Sequence, residues 1–287
     1  MSVIKNICVI GAGTMGSGIA QIISMNGYQV NLVDLDEKLL ERSVDSIRTN
    51  LKKYYVLKNK ISEKEADEII HRINTSTDIK ESVSNVQLVI EAVFEDMTVK
   101  KKLFKELDNQ CDKSVILASN TSSLSITEIS SDAINQDRIV GIHFFNPAPV
   151  MKLIELVKGV NTSEKTIDIC REFSENIGKT VVIVNDSPGF ITSRLIYVMC
   201  NEAVNMLMEG VATAEDIDKA CKLAFNFPMG PLELSDLIGN DIYLHIGQYL
   251  AQELGDKYRP SPMLKKMVNA KLLGLKTKRG FYNYSEK

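Results

Sequence analysis

The segment HFFNPAPVMKLIE (143–155) sets a histidine and a glutamate twelve residues apart, with two prolines between them, in a chain that has three histidines in all. An imidazole, with an unperturbed pKa of about 6.5, can take and return a proton near neutrality. A carboxylate bonded to its second ring nitrogen would hold one tautomer and stabilise the imidazolium that forms. His143 ends the apolar run RIVGIHFF and Glu155 lies inside the run KLIELVKG. Adjacent strands joined by a turn stiffened by Pro147 and Pro149 can bring the two side chains within hydrogen-bond reach. The residues alone leave a blander reading open, with His143 a satisfied core histidine and Glu155 a surface charge.

A base of this kind suits the loss of a hydroxyl proton as hydride leaves the adjoining carbon, and the N-terminal residues offer a place for the hydride acceptor. GAGTMG (11–16) fits G-x-G-x-x-G, follows the strand-like NICVI and opens a helical pattern at Thr14 and Met15. Gly11 permits the tight turn, Gly13 lets backbone approach a pyrophosphate, and Gly16 lets helix and strand pack closely. The helix N-terminus presents N–H groups and a partial positive charge to the phosphates. The next strand, YQVNLV, ends at Asp34, which can accept from the ribose hydroxyls. Asp34 and Asp36 would repel a 2′-phosphate and no arginine follows directly, so the expected cofactor is NAD.

The elements that must position these groups form two regimes. From residue 6, short apolar runs (NICVI, YQVNLVD, QLVIEAV, SVILASN, RIVGIHFF, KLIELVKG, KTVVIVND) alternate with helical patterns. That predicts an α/β fold, a doubly wound, Rossmann-type, mostly parallel sheet over residues 1–185. After the break in DSPGF only helical periodicity remains, so residues 186–287 are expected to be an all-α C-terminal domain. Its Met199, Met206 and Met208 read as packing residues. His245 reads as structural and His71 as exposed.

The 287 residues carry a net charge of −3, which gives no support to a general nucleic-acid or anionic-membrane surface. Five scattered cysteines without a CxxC pair read as reduced thiols of a cytoplasmic protein. The N-terminus runs straight into a strand and no apolar stretch approaches about 18 residues, so neither secretion nor membrane spanning is expected. No metal site is expected. Lys52, Lys53, Lys58 and Lys60 form a local basic cluster in a pair of helices joined at Asn59–Lys60, which is either a solvated face or an anion contact.

GAGTMGSGIA, VIEAVFED, ASNTSSLSIT, GIHFFNPAPVMKLIE, DSPGF and NFPMGPLEL, in this order, resemble the L-3-hydroxyacyl-CoA dehydrogenases, and among them the bacterial 3-hydroxybutyryl-CoA dehydrogenases. The resemblance spans nearly the whole chain. It implies an acyl-CoA substrate in a cleft between the domains, His143 as base, Glu155 as its orienting partner and Ser122 bonded to the reacting oxygen. It maps NAD contacts onto Glu95, Lys100 and Asn120, and substrate contacts onto Ser122, Asn146, Ser193 and Lys53, the last as a phosphate contact. Where the family often carries asparagine after PGF, this chain reads PGFITSR and has Ser193, a shorter side chain with a single O–H donor. A homodimer through the apolar faces of the helical domain is expected. Two other readings remain: a hydroxy-acid dehydrogenase acting on free acids, and an NAD(H)-binding protein without turnover.

Overall fold

The apolar runs become the centre of one eight-stranded sheet in the computed structural model, which describes residues 4–285. The strands are β1 (Asn6–Ile10), β2 (Gln29–Val33), β3 (Ile73–Ser76), β4 (Leu88–Glu91), β5 (Ile116–Ser119), β6 (Ile139–Phe144), β7 (Leu153–Lys158) and β8 (Thr180–Asn185). Their spatial order is β3-β2-β1-β4-β5-β6-β7-β8. All neighbours are parallel except β6 and β7. Every residue of β4, β5 and β6 is buried, as expected of strands covered on both faces.

The sheet grows from β1 to β2 and β3 on one side and from β1 to β4, β5 and β6 on the other. The order therefore reverses at β1, where a crevice opens beyond the carboxyl ends of the strands. β3 has no counterpart among the runs read from the sequence. Its INTS is short and polar, and as an edge strand with only Ile73 buried it needs no apolar run.

Seven helices belong with this sheet: α1 (Thr14–Met25), α2 (Glu37–Leu51), α3 (Glu63–His71), α4 (Ile79–Ser82), α5 (Met97–Gln110), α6 (Ile126–Ile129) and α7 (Glu164–Asn176). Six begin at a side-chain cap, Asp36, Ser62, Asp78, Asp96, Ser125 or Ser163, each accepting a backbone N–H of the first turn. At Ser62 the bond is reciprocated by Glu65, which completes a capping box. α2 runs on into a π-helical turn, Lys52–Val56, and Asn59 at φ 54 reverses the chain toward α3. One core joins strands and helices, including Ile7, Leu32, Ile90, Ile142 and Phe173, each 0–1% exposed. Each such side chain stabilises the fold by roughly 1.5–3 kcal/mol. Exposed pairs such as Lys64–Glu68 contribute about 0.5 kcal/mol or less, so burial holds the sheet together.

Backbone contacts divide the chain into two compact units, one ending at Asp186 and one beginning at Ser187. The second holds α8 (Thr192–Met208), α9 (Ala214–Phe225), α10 (Pro231–Ile238), α11 (Asn240–Leu254) and α12 (Pro262–Asn269). The helical pattern from residue 231 to 255 is two helices, because Gly239 at φ 114 turns the backbone where no side chain would be tolerated easily. Tyr197 and Tyr243 stack at 6.5 Å in this core, and the Tyr197 hydroxyl donates to the Tyr258 carbonyl at 3.0 Å. Met199 and Met206 pack against it, whereas Met208 is 46% exposed. His245 is exposed, so its place on α11 does not make it a packing residue. The buried Asp236 ties down the chain's end by accepting from the backbone N–H groups of Phe281 and Tyr282. Among the described residues no helix is long and apolar enough to cross a membrane.

A buried ion pair fixes the entry to β6. Arg138 donates to the Asp108 carboxylate at 2.8 Å and to the carbonyls of Asp112 and Val115, while Asp108 also accepts from Ile134 and Asn135. Burial alone would raise the Asp108 pKa, but Arg138, Asn135 and the backbone donors outweigh it and hold the carboxyl below the usual carboxylate range. A depressed pKa adds stability that is present above the unfolded value of about 3.9 and is lost as pH falls through the folded value. Unfolding free energies measured from pH 6 to pH 3 are therefore expected to show wild type ahead of Asp108→Asn above about pH 4, with the gap shrinking at lower pH. A gap that stays constant down to pH 3 would contradict this account.

Candidate active site

The antiparallel pairing of β6 with β7 sets His143 directly opposite Glu155. Their side chains meet at 2.8 Å, Nδ1 to Oε2, with 5% and 1% of the two side chains exposed. A ring that donates from Nδ1 to a carboxylate carries its basic lone pair on Nε2. Phe145 lies against the imidazole, ring centroids 4.3 Å apart.

The turn between the strands is held from inside. The N–H groups of Val150 and Met151 donate to the Pro147 carbonyl, and the Asn146–Pro147 peptide bond is cis. The Lys179 ammonium, from the start of the strand pattern at β8, donates to the carbonyls of Ala148 and Met151 at 2.6 and 2.7 Å. Burial lowers the Lys179 pKa.

β5 stops pairing with β6 at Ser119, opposite Gly141. Asn120 then continues the connection with its side chain, accepting from the Phe144 N–H at 2.8 Å. The half-buried Ser122 gives its backbone N–H to Glu95 at 2.9 Å, and the Thr121 hydroxyl donates to the same carboxylate oxygen. Lys100, 1% exposed, reaches Glu91 at 2.6 Å and Glu95 at 3.2 Å. Burial alone would lower the Lys100 pKa, but the two carboxylates outweigh it and raise it above the ordinary lysine value.

At the β1–α1 turn, the Gly11 N–H donates to the Val33 carbonyl at 2.7 Å and its φ is 101°. A Cβ on Gly16 would fall onto the Gly11 carbonyl oxygen, whereas one on Gly13 would meet nothing within 4 Å. Among the described residues of this unit, α1 is the one helix without a side-chain cap; Gly13 occupies that position, and Gly13 and Thr14 are exposed with Met15 half-buried behind them. The first-turn N–H groups and the positive end of α1 thus face open space. Asp34 closes the turn from the other side, one oxygen accepting from the Ala12 N–H at 2.7 Å.

Beside this turn is a cavity of about 720 Å³ whose wall includes Gly13, Ser17, Arg42, Asn50, Tyr54 and Asn146. Lys53 lies at 5.1 Å and Lys58 at 5.6 Å from the centroid of the Tyr54 ring, and Lys60 lies at 5.5 Å from that of Tyr55. Ser193 is buried in the first turn of α8, in the helical unit. Three residues of this region were not singled out from sequence: Glu91, Lys179 and Arg42. Glu91 had a signal, a lone charge inside the apolar run QLVIEAV; Arg42 and Lys179 are ordinary charges at ordinary spacings until the chain folds. Burial pushes the thiols of Cys111, Cys170 and Cys200 up to about 11, 12 and 12, so none of these is a nucleophilic thiolate near neutral pH.

Comparison with known proteins covers both units. The family model described as 3-hydroxyacyl-CoA dehydrogenase, NAD binding domain, matches residues 6–187, and that described as 3-hydroxyacyl-CoA dehydrogenase, C-terminal domain, matches residues 189–284. The chain is 46% identical over 285 residues to a probable 3-hydroxybutyryl-CoA dehydrogenase of Bacillus subtilis, covering 99% of each. It is 46% identical over 281 residues to the 3-hydroxybutyryl-CoA dehydrogenase of Clostridioides difficile, covering 98% of this chain and 99% of that one. The solved structure of (S)-3-hydroxybutyryl-CoA dehydrogenase from Ralstonia eutropha superposes with a TM-score of 0.93 at 40% identity, covering 99% of this chain and 100% of that chain.

The glycine-rich turn makes a direct prediction. Gly16→Ala forces a methyl group into the Gly11 carbonyl and must open the turn, so NADH affinity read by fluorescence titration is expected to fall by about tenfold or more. A folded Gly16→Ala chain that binds NADH as wild type does would contradict the role given to this turn.

Proposed function

We propose that this chain, which belongs to the 3-hydroxyacyl-CoA dehydrogenase family, interconverts (S)-3-hydroxybutyryl-CoA and acetoacetyl-CoA, with His143 and Glu155 as the proton-handling pair. The observation that carries the reading is the 2.8 Å bond between a buried imidazole and a buried carboxylate on neighbouring strands. Bound NAD would supply the hydride acceptor for oxidation of the substrate carbon, and its reduced form the hydride donor for reduction. His143 Nε2 takes the hydroxyl proton in oxidation and gives it back in reduction. Glu155 holds Nδ1–H throughout and stabilises the imidazolium.

Ser122, its backbone held by Glu95, donates from its hydroxyl to the reacting oxygen, which favours the charge that gathers there. Asn146 contacts the acyl portion from the wall of the cavity, and Lys53 supplies positive charge to the CoA phosphates from its position over Tyr54. Gly11, Gly13, Thr14, Met15 and Gly16 receive the pyrophosphate, Asp34 the adenosine ribose, and Glu95, Lys100 and Asn120 line the nicotinamide end. Ser193 contributes a weaker substrate contact from the helical unit, the unit through which two copies pair as a homodimer. Five cysteines free of disulfides, four of them buried, suit a reducing cytoplasm.

His143→Gln is expected to lower kcat for acetoacetyl-CoA reduction by about a hundredfold or more while the NADH dissociation constant stays within about threefold, because the base goes and the nucleotide site remains. Near-normal turnover by that variant would refute the assignment.

A further inference from the structure

We propose that Glu91 is a positioning residue for Ser122, acting through Lys100 and Glu95; this rests on the role given to Ser122 above. Glu91 is the last residue of β4, 0% exposed, and is not among the residues that line the cavity. Both of its oxygens are occupied. One accepts from the Val93 N–H at 2.7 Å and from the Lys100 ammonium at 2.6 Å, and the other accepts from the Ser119 hydroxyl at 2.7 Å.

The Ser119–Ser122 segment is thereby tied to this one acid at both ends. At its start, the Ser119 hydroxyl donates to Glu91 and also accepts from the Thr121 N–H at 3.3 Å. At its far end, Thr121 and Ser122 donate to Glu95, and Glu95 is held by the same ammonium that Glu91 holds. The Thr121 hydroxyl in turn accepts from the Leu124 N–H at 3.0 Å, so a shift of Glu95 is passed along the loop.

The charges say what happens when Glu91 is neutral. Two carboxylates share one ammonium, and the nearer carboxylate is the one fully out of water. A buried ammonium beside a neutral partner is strongly disfavoured, so in Glu91→Gln the Lys100 cation draws on the one remaining anion, Glu95, 3.2 Å away. Glu95 meets Lys100 through Oε2 and the loop through Oε1, so a carboxylate drawn closer to the cation turns Oε1 off the Thr121 hydroxyl and the Ser122 N–H, and the serine hydroxyl loses its fixed direction. Removing the cation as well, in Glu91→Gln/Lys100→Met, leaves Glu95 free to keep its bonds to Thr121 and Ser122.

The test compares wild type, E91Q, S122A, E91Q/S122A and E91Q/K100M in the full chain, reading kcat and KM for acetoacetyl-CoA, NADH affinity, and amide hydrogen exchange across residues 119–124. E91Q is expected to lower kcat about tenfold with NADH affinity changed less than about threefold, to add less than about twofold to the loss in S122A, and to speed exchange in the segment. E91Q/K100M is expected to return exchange across residues 119–124 to within about threefold of wild type. Equal losses in the two serine backgrounds, or exchange unaffected in E91Q, overturns the proposal. If E91Q does not fold, E91Q/K100M carries the test, and a folded double variant with fast exchange across residues 119–124 overturns it. A wild-type chain with no turnover would instead sink the functional reading, and the exchange data would still decide whether Glu91 holds the segment.

Discussion

The site depends on a reversal of strand direction. Strands joined in parallel need a long crossover, so two side chains twelve residues apart could not face each other across such a pair. Because β7 runs antiparallel to β6, the ladder itself sets His143 against Glu155, between the neighbouring pairs Ile142 with Leu156 and Phe144 with Ile154. A slip of one residue would send one partner to the opposite face of the sheet. Buried aliphatic residues on these strands resist that slip, since it would also turn Ile142, Ile154 and Leu156 out of the core. The imidazole and the carboxylate are thus aligned by the same hydrogen bonds and packing that hold the sheet.

The other polar groups gather where the parallel strands end. Gly11 follows β1, Asp34 follows β2, Glu91 closes β4, Ser119 closes β5, and His143 stands one residue from the end of β6. A parallel sheet directs all these carboxyl ends to one edge, which is why residues so far apart in the chain share one region. Two buried ionic arrangements in this unit differ in position. Arg138 with Asp108 lies before β6 and secures loops, whereas Glu91, Lys100 and Glu95 lie at the carboxyl edge and run to Ser122. Lys179 differs again: its two named bonds go to carbonyls of the turn that joins β6 to β7. Charges out of water are costly unless well satisfied, so each of these sites is rigid by necessity.

Within the sheet unit the helix ends differ in how they are capped. Asp36, Ser62, Asp78, Asp96, Ser125 and Ser163 close their helices with a side-chain oxygen. α1 has glycine instead, and its open N-terminus meets the requirement of an anion for several N–H donors at once. Asp34 accepts from the Ala12 N–H with one oxygen, so it braces the turn from the end of β2.

By itself the sequence determined the alternation of buried strands with amphipathic helices, the glycine turn with its acid eighteen residues beyond Gly16, and the change to helices after DSPGF, because these follow from local periodicity and backbone freedom. The spacing of His143 and Glu155 allowed a pair without deciding it against a core histidine and a surface charge. It could not read β3, whose polar edge position leaves no pattern, nor the division of residues 231–255 at Gly239, where a positive φ and not the periodicity decides. Only the tertiary structure decided what Glu91, Lys100 and Lys179 do. A charge is legible in a sequence, but its partner is chosen by strand order and burial: Lys100 meets Glu91 because the first turn of α5 lies beside the end of β4, and Lys179 meets the 148–151 turn because β8 pairs beside β7.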